Sequence, residues 1–197
     1  FYDYAISYAN SASLLFEDTA KNDLDDLQND CIAFSYTSKD SIQKNTNVIT
    51  LSDLRNSNID LPGTRKEITE ISKVLEGSYF YGTHANEANF KEYATKFKII
   101  HLALHGDIDH QNSDNLKIYF SEGSENEDDQ LFGHEIYNLQ IPASLVVLSA
   151  CNTGNGTINK AEGIQSLGNA FQYAGAKSLL LSSGESSDKT TPEFMGY

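Results

Sequence analysis

The chain has 197 residues, the length of one domain, and 39% of them are hydrophobic, enough to fill a sizeable core. Its formal net charge of −14 disfavours both a nucleic-acid partner and an anionic membrane surface. No apolar run reaches the ~18 residues of a transmembrane helix. Residues 1–5 lack the basic start and apolar core of a signal peptide. We therefore expect a single cytoplasmic domain that contacts neither nucleic acid nor membrane.

Cysteine usage agrees with that location. Cys31 and Cys151 are the only cysteines, and two cysteines do not make a disulfide framework. Cys31 begins a predicted strand, with no visible reason to meet Cys151. A reducing cytosol is therefore the simpler interpretation.

In the first third of the chain, the sequence predicts strands and a short helix, followed by a long polar connection. Residues 4–15 favour a strand or hairpin followed by a short helix, and residues 31–37 favour a strand. The Asn- and Ser-rich residues 38–58 predict the connection.

A helix is predicted to begin after Leu61. Thr64 and Glu67 have the spacing of a capping box at its start. Its apolar stripe consists of Ile68, Ile71, Val74 and Leu75. A short aromatic strand is predicted at residues 78–81, and a second helix at residues 83–93.

The rest of the chain predicts further strands alternating with helices. Alternating apolar residues at 116–120 and residues 130–132 predict a hairpin around an acidic tip. Helices are predicted at residues 134–139 and 161–173, and a last strand at residues 178–181. Such alternation implies an α/β fold, with a mostly parallel sheet covered on both faces.

Two apolar stretches, residues 97–106 and 144–154, predict buried strands that each end in a reactive residue. In the first, His105 precedes a glycine. In the second, Cys151 precedes an Asn-Thr-Gly sequence. If these strands are parallel neighbours about 4.8 Å apart, an imidazole and a thiol meet at their carboxyl ends. Open α/β sheets bind ligands at that edge.

A thiol and an imidazole together can perform nucleophilic catalysis. His105 is the candidate base that would make Cys151 a nucleophile near neutral pH. Attack on a peptide carbonyl would develop an oxyanion, for which the N–H groups of Gly106 and Cys151 are candidate donors. Cysteines at strand ends are more often packed than reactive, so the spacing alone leaves a structural interpretation open.

A metal site is an alternative interpretation of the histidines. His101 and His105 would stand about 13 Å apart on a strand, too far apart for one ion. Residues 105–110 resemble half of the metallo-β-lactamase pattern H-x-H-x-D-H, but Asp107 stands where the second His is expected. We expect His101 in the core, and His84, His110 and His134 on the surface.

Three segments together resemble the CHAT domain, a family of caspase-like cysteine peptidases in the clan of caspases and separase. They are residues 101–106 (His-Leu-Ala-Leu-His-Gly), residues 145–154 (Leu-Val-Val-Leu-Ser-Ala-Cys-Asn-Thr-Gly) and residues 161–176. The resemblance extends over about residues 4–197. His105 lies 46 residues before Cys151, close to the caspase spacing of about 50.

The resemblance implies a cysteine endopeptidase of caspase-like fold that cleaves a protein or peptide substrate without a cofactor. It assigns His105 as general base and acid and Cys151 as nucleophile. It also implies an upstream helical-repeat region, commonly tetratricopeptide, or a regulatory partner, and a triggered role in bacterial defence. Because the sequence contains no repeat, we expect it to be the protease part of a longer protein.

Substrate preference stays open. Related enzymes that cleave after Arg or Lys use an acidic pocket, and Asp107, Asp109 and Glu162 are candidates for one. For each of the three, we favour a structural role in a solvated loop or at a helix start. Many family members carry a Trp where this chain has Gly184, so an inactive interaction module is the alternative function.

Overall fold

The computed structural model describes residues 29–36, 62–107, 116–122, 127–149, 157–159, 163–165 and 167–181. The elements predicted at residues 4–15 and the connection at residues 38–58 lie outside these ranges.

The described residues form strands and helices in succession along the chain. In order, they are β1 (Asn29–Ser35), α1 (Pro62–Ile71), β2 (Gly77–Phe80), α2 (Glu87–Tyr93), β3 (Phe97–Ala103), β4 (His105–Asp107), β5 (Lys117–Tyr119), β6 (Gln130–Phe132), α3 (Gly133–Ile136), β7 (Leu145–Leu148), β8 (Thr157–Asn159), β9 (Gly163–Gln165), α4 (Leu167–Tyr173) and β10 (Leu179–Leu181). Short 3₁₀ helices, Gly82–His84 and Ala94–Lys96, flank α2.

A parallel sheet forms the centre of the described part. Its five strands lie in the order β10-β7-β3-β1-β2, and every neighbouring pair is parallel. The predicted α/β fold with a mostly parallel sheet is confirmed.

The two faces of this sheet pack against different helices. Side chains alternate along a strand, so one face of β1, β3 and β7 presents large apolar residues. These are Ile32, Phe34, Ile100, Leu102, Val146 and Leu148, and they share a core with Phe90 of α2, Ile136 of α3 and Phe171 of α4. On the other face, Ala33 and Ala103 pack against Ile68 of α1. Helices therefore cover both faces, as predicted.

The capping box predicted for α1 is wrong. The helix already includes Pro62, so Thr64 and Glu67 lie inside it. Thr64 Oγ1 lies 2.9 Å from Ser35 Oγ, and Glu67 Oε1 lies 2.7 Å from His101 Nε2. Because these side chains bond across to the sheet, they contribute to tertiary packing rather than to the helix start.

The first two helices are shorter than predicted. Ile71 is buried, but α1 ends there and leaves Val74 68% exposed. The Asn86 side chain caps α2 by accepting a hydrogen bond from the Asn89 N–H at 2.8 Å, so this helix begins after residue 86 and not at residue 83. None of the helices in the described ranges combines the length and hydropathy that a bilayer crossing requires.

A smaller antiparallel sheet, in the order β4-β5-β6, lies beside the central one. The predicted hairpin is confirmed, since β5 pairs antiparallel with β6. The alternating residues Leu116, Ile118 and Phe120 are all buried. The strand predicted over residues 97–106 is divided. It ends at Ala103, and the chain then joins the smaller sheet at His105 because β4 pairs with β5.

The helix predicted at residues 161–173 begins later. Gly163–Gln165 form β9, which pairs antiparallel with β8, so Ile164 opposes Ile158 and does not belong to a helical stripe. Pairing with β8 overrides the helical periodicity of the sequence at this point. The helix ends as predicted, at a glycine: Gly175 adopts φ +112°, which suits a residue without a side chain.

Candidate active site

The predicted meeting of His105 and Cys151 depends on β3 and β7 being direct parallel neighbours, and the structure confirms that they are. Leu102 lies opposite Leu148 in the register. The N–H of Ser149 donates to the Leu102 carbonyl at 3.0 Å, which extends the pairing by one step. Both strands therefore end at the same edge of the sheet. In the sequence, His105 lies three residues after Leu102, and Cys151 lies three residues after Leu148.

His105 occupies the first position of β4, just beyond the end of β3. Its side chain is half-buried, and its ring packs against that of Tyr36, with centroids 4.7 Å apart and planes at 74°. Tyr36 directly follows β1, the other neighbour of β3. The carboxyl ends of β1 and β3 therefore converge at the imidazole.

The other predicted site residues are placed only in part. Gly106 lies in β4 opposite Ile118 and is half-buried. Asp107 ends β4, and only its backbone is described. Cys151, Asp109 and Glu162 lie outside the described residues, so their roles stay predictions.

With the fold and this edge established, comparison with known families identifies the chain. A family profile described as CHAT domain matches residues 2–197, almost the whole sequence. The chain belongs to the CHAT domain family. This confirms the resemblance stated above and relates the protein to the caspase-like peptidases. A comparison with curated proteins finds no match.

The histidines of this CHAT domain have different surroundings. His101 is 3% exposed and lies 2.7 Å from Glu67, which confirms its predicted place in the core. His84 and His134 are exposed as predicted, and His110 lies outside the described residues.

Two contacts of these histidines were not predicted from the sequence: Glu67 with His101 and Tyr36 with His105. Glu67 precedes the buried Ile68 on the apolar stripe of α1, a position where a carboxylate indicates a buried partner. The sequence around Tyr36 shows no such misplaced polar residue, so nothing local indicated its contact with His105.

Cys31 of the CHAT domain is a buried thiol in β1. Burial raises its pKa to about 11, and the Asp30 charge adds to this, whereas a hydrogen bond with Tyr79 opposes it. The Cys31 thiol is therefore protonated near neutral pH and is a poor nucleophile.

Within the described ranges, one group has the spacing of metal ligands. It consists of Glu87, Glu127 and Glu135, whose ligand oxygens lie within 4.8 Å of one another. The Lys91 ammonium already lies 2.8 to 2.9 Å from all three carboxylates. Burial raises the pKa of Glu87, although Lys91 opposes it. Burial alone would lower the pKa of Lys91, but its three carboxylate partners outweigh burial and raise it.

Proposed function

We propose that this CHAT domain is a cysteine endopeptidase in which His105 and Cys151 form the catalytic dyad. The observation that carries the proposal is the register of β3 and β7, which sets Leu148 beside Leu102. His105 and Cys151 lie three residues after Leu102 and Leu148, respectively. Two peptide units join Ser149 to Cys151, so their Cα atoms are at most about 7 Å apart. Chain connectivity therefore supports the proposed place of the Cys151 thiol, at the edge where His105 lies.

In the proposed reaction, His105 takes the proton from the Cys151 thiol. The thiolate sulfur then attacks the scissile carbonyl carbon, forming a C–S bond and an oxyanion. The N–H groups of Gly106 and Cys151 are the proposed donors to that oxyanion.

The second half of the reaction returns the enzyme to its starting state. His105 gives its proton to the amine as the C–N bond breaks, leaving a thioester on Cys151. His105 then removes a proton from water, which attacks the thioester, breaks the C–S bond and releases the carboxylic acid. The departing thiolate takes that proton back from His105, so the thiol is regenerated and the peptide bond has been hydrolysed.

The proposed substrate is a protein or peptide, and the proposed location is the cytoplasm. Membership of the family supports a setting in which a helical-repeat region or a regulatory partner triggers cleavage, as in bacterial defence. Asp107, Asp109 and Glu162 are candidates for contacts with a cationic substrate residue. The net charge of −14 is compatible with such a substrate.

Digestion of a peptide library, read by mass spectrometry, tests the proposal. We expect Cys151→Ala and His105→Ala each to lower cleavage by more than about 1000-fold, because dyad members act as one unit. Melting temperatures should stay nearly unchanged, and a chelator should have no effect. Cys31→Ala is the matched control and should cleave normally, since its buried thiol is protonated.

Iodoacetamide labelling separates activity from a retained but inactive fold. We expect the thiol of Cys151 to be alkylated far faster than that of Cys31 at neutral pH. Normal turnover by Cys151→Ala would contradict the proposed dyad. A native protein that cleaves nothing, with Cys151 no more reactive than Cys31, would favour the interaction module, for which Gly184 in place of a Trp is the sequence indication. Activity lost with the chelator but not with iodoacetamide would favour the metal site instead.

A further inference from the structure

The backbone of Tyr36 is held by hydrogen bonds to two different elements. Its N–H donates to the carbonyl of Ala103 on β3 at 3.1 Å. Its carbonyl accepts a hydrogen bond from the Thr64 hydroxyl on α1 at 3.4 Å. The same Thr64 oxygen lies 2.9 Å from Ser35 Oγ. Tyr36 is therefore fixed at the point where β1, β3 and α1 meet.

The side chain of Tyr36 is as constrained as its backbone. It is 6% exposed and belongs to the main hydrophobic core. Its ring meets the His105 imidazole nearly at right angles, with centroids 4.7 Å apart. Edge-to-face packing of this kind is a preferred geometry for aromatic rings.

A general base needs this kind of support, because the imidazole can otherwise turn. The torsion that rotates the ring of a histidine is broad, so packing must select one orientation. A base works only when its nitrogen is within hydrogen-bond reach of the proton it removes. His105 follows the bend after β3, and the Tyr36 ring packs against its imidazole at a defined angle.

We propose that Tyr36 is a positioning residue for His105, holding the imidazole in the plane from which it serves Cys151. This inference rests on the proposed function of His105 as the base. Tyr36 acts through His105 and takes no part in bond making or breaking. Its ring carries the effect, so the ring contact and not the hydroxyl is what a variant has to keep.

Substitution of the ring tests this inference. Tyr36→Leu should lower kcat about 10-fold, a part of the 10²–10⁴ that a positioned base supplies, and leave KM nearly unchanged. Tyr36→Phe keeps the ring and should restore kcat to within about 3-fold of the native value. Phe80→Leu is the control: it removes a ring that stacks on Phe34, with centroids 4.9 Å apart, and should leave kcat unchanged.

A second readout does not depend on activity. Tyr36→Leu should shift the NMR signals of the His105 ring protons, assigned with His105→Gln, because the ring current of Tyr36 is lost. Tyr36→Phe should keep them near the native positions. Tyr36→Met, which is flexible and fills irregular space, repeats both measurements if Tyr36→Leu does not fold.

The outcomes separate the two proposals. A folded Tyr36→Leu variant with native kcat and native His105 signals overturns the positioning role. Tyr36→Phe as impaired as Tyr36→Leu also overturns it, because the ring contact would then not carry the effect. A native protein that cleaves nothing, and whose Cys151 thiol is alkylated no faster than that of Cys31, contradicts the proposed function itself.

Discussion

The two faces of the central sheet are built in different ways. On the face covered by α2, α3 and α4, the contacts are between large apolar side chains. Phe34 of β1 shows this best: it is fully buried, and its ring lies 4.9 to 5.8 Å from those of Phe80, Phe90 and Phe120. Burial and close packing of this kind provide most of the stability of a domain.

The face covered by α1 combines apolar contacts with buried polar pairs, and we call it the polar face. Its apolar cluster joins Ala33, Ala103 and Ile68, with Tyr79 and Tyr81 packed against them. Beside it lie the buried polar residues Ser35, Thr64, Glu67 and His101, which form two hydrogen-bonded pairs between α1 and the sheet. Paired polar groups contribute little net free energy, but they require one geometry. The comparison indicates that the apolar face stabilises the fold, whereas the polar face fixes α1 and the carboxyl ends of β1 and β3.

The largest expected effect is therefore on the apolar face. Phe34→Ala should lower the free energy of unfolding by about 4 kcal/mol, because it removes a fully buried ring and leaves a cavity. Urea unfolding measures this loss. Val74→Ala is the control: its side chain is 68% exposed, so it should change stability by less than about 0.5 kcal/mol. A Phe34→Ala loss as small as the control would contradict the assignment of stability to this face.

A smaller effect is expected for the buried pair on the polar face. Glu67→Met should lower the free energy of unfolding by about 2 kcal/mol, because it leaves the buried His101 imidazole without its carboxylate partner. Adding His101→Leu should recover most of that loss, since two apolar side chains can replace a buried polar pair. A double-mutant cycle in urea measures the coupling. Strictly additive losses would show that the two side chains do not act as a pair.

The sequence predicted those parts of the fold whose pattern lies within a single strand or helix. The alternation at Leu116, Ile118 and Phe120 predicted the hairpin correctly, because one face of that strand is buried throughout. The apolar runs around Leu102 and Leu148 correctly predicted buried strands, as expected in a parallel sheet covered on both faces. That the two strands are neighbours was only a condition, and the structure shows that it is met.

The errors come from long-range contacts that leave no local pattern. Nothing in residues 97–106 showed that the chain would change sheets at His105, because this depends on pairing with Tyr119. Thr64 and Glu67 fit a capping box and a buried helix face equally well, and only the positions of Ser35 and His101 decide between them. The edge of the sheet was therefore predictable, but the contact of His105 with Tyr36 was not.

The smallest expected change in stability comes from comparing two buried serine hydroxyls, one with a hydrogen-bond partner and one without a partner among the described residues. Ser149 is 8% exposed, and its Oγ has no hydrogen-bond partner among the described residues, whereas the buried Ser35 Oγ lies 2.9 Å from Thr64 Oγ1. Ser149→Ala should change the free energy of unfolding by less than about 0.5 kcal/mol, or raise it, because no hydrogen bond is lost. Ser35→Ala should lower it by about 1 kcal/mol, because it leaves Thr64 without that partner. Equal losses in the two variants, measured by urea unfolding, would show that Ser149 bonds elsewhere and that the polar face extends to the end of β7.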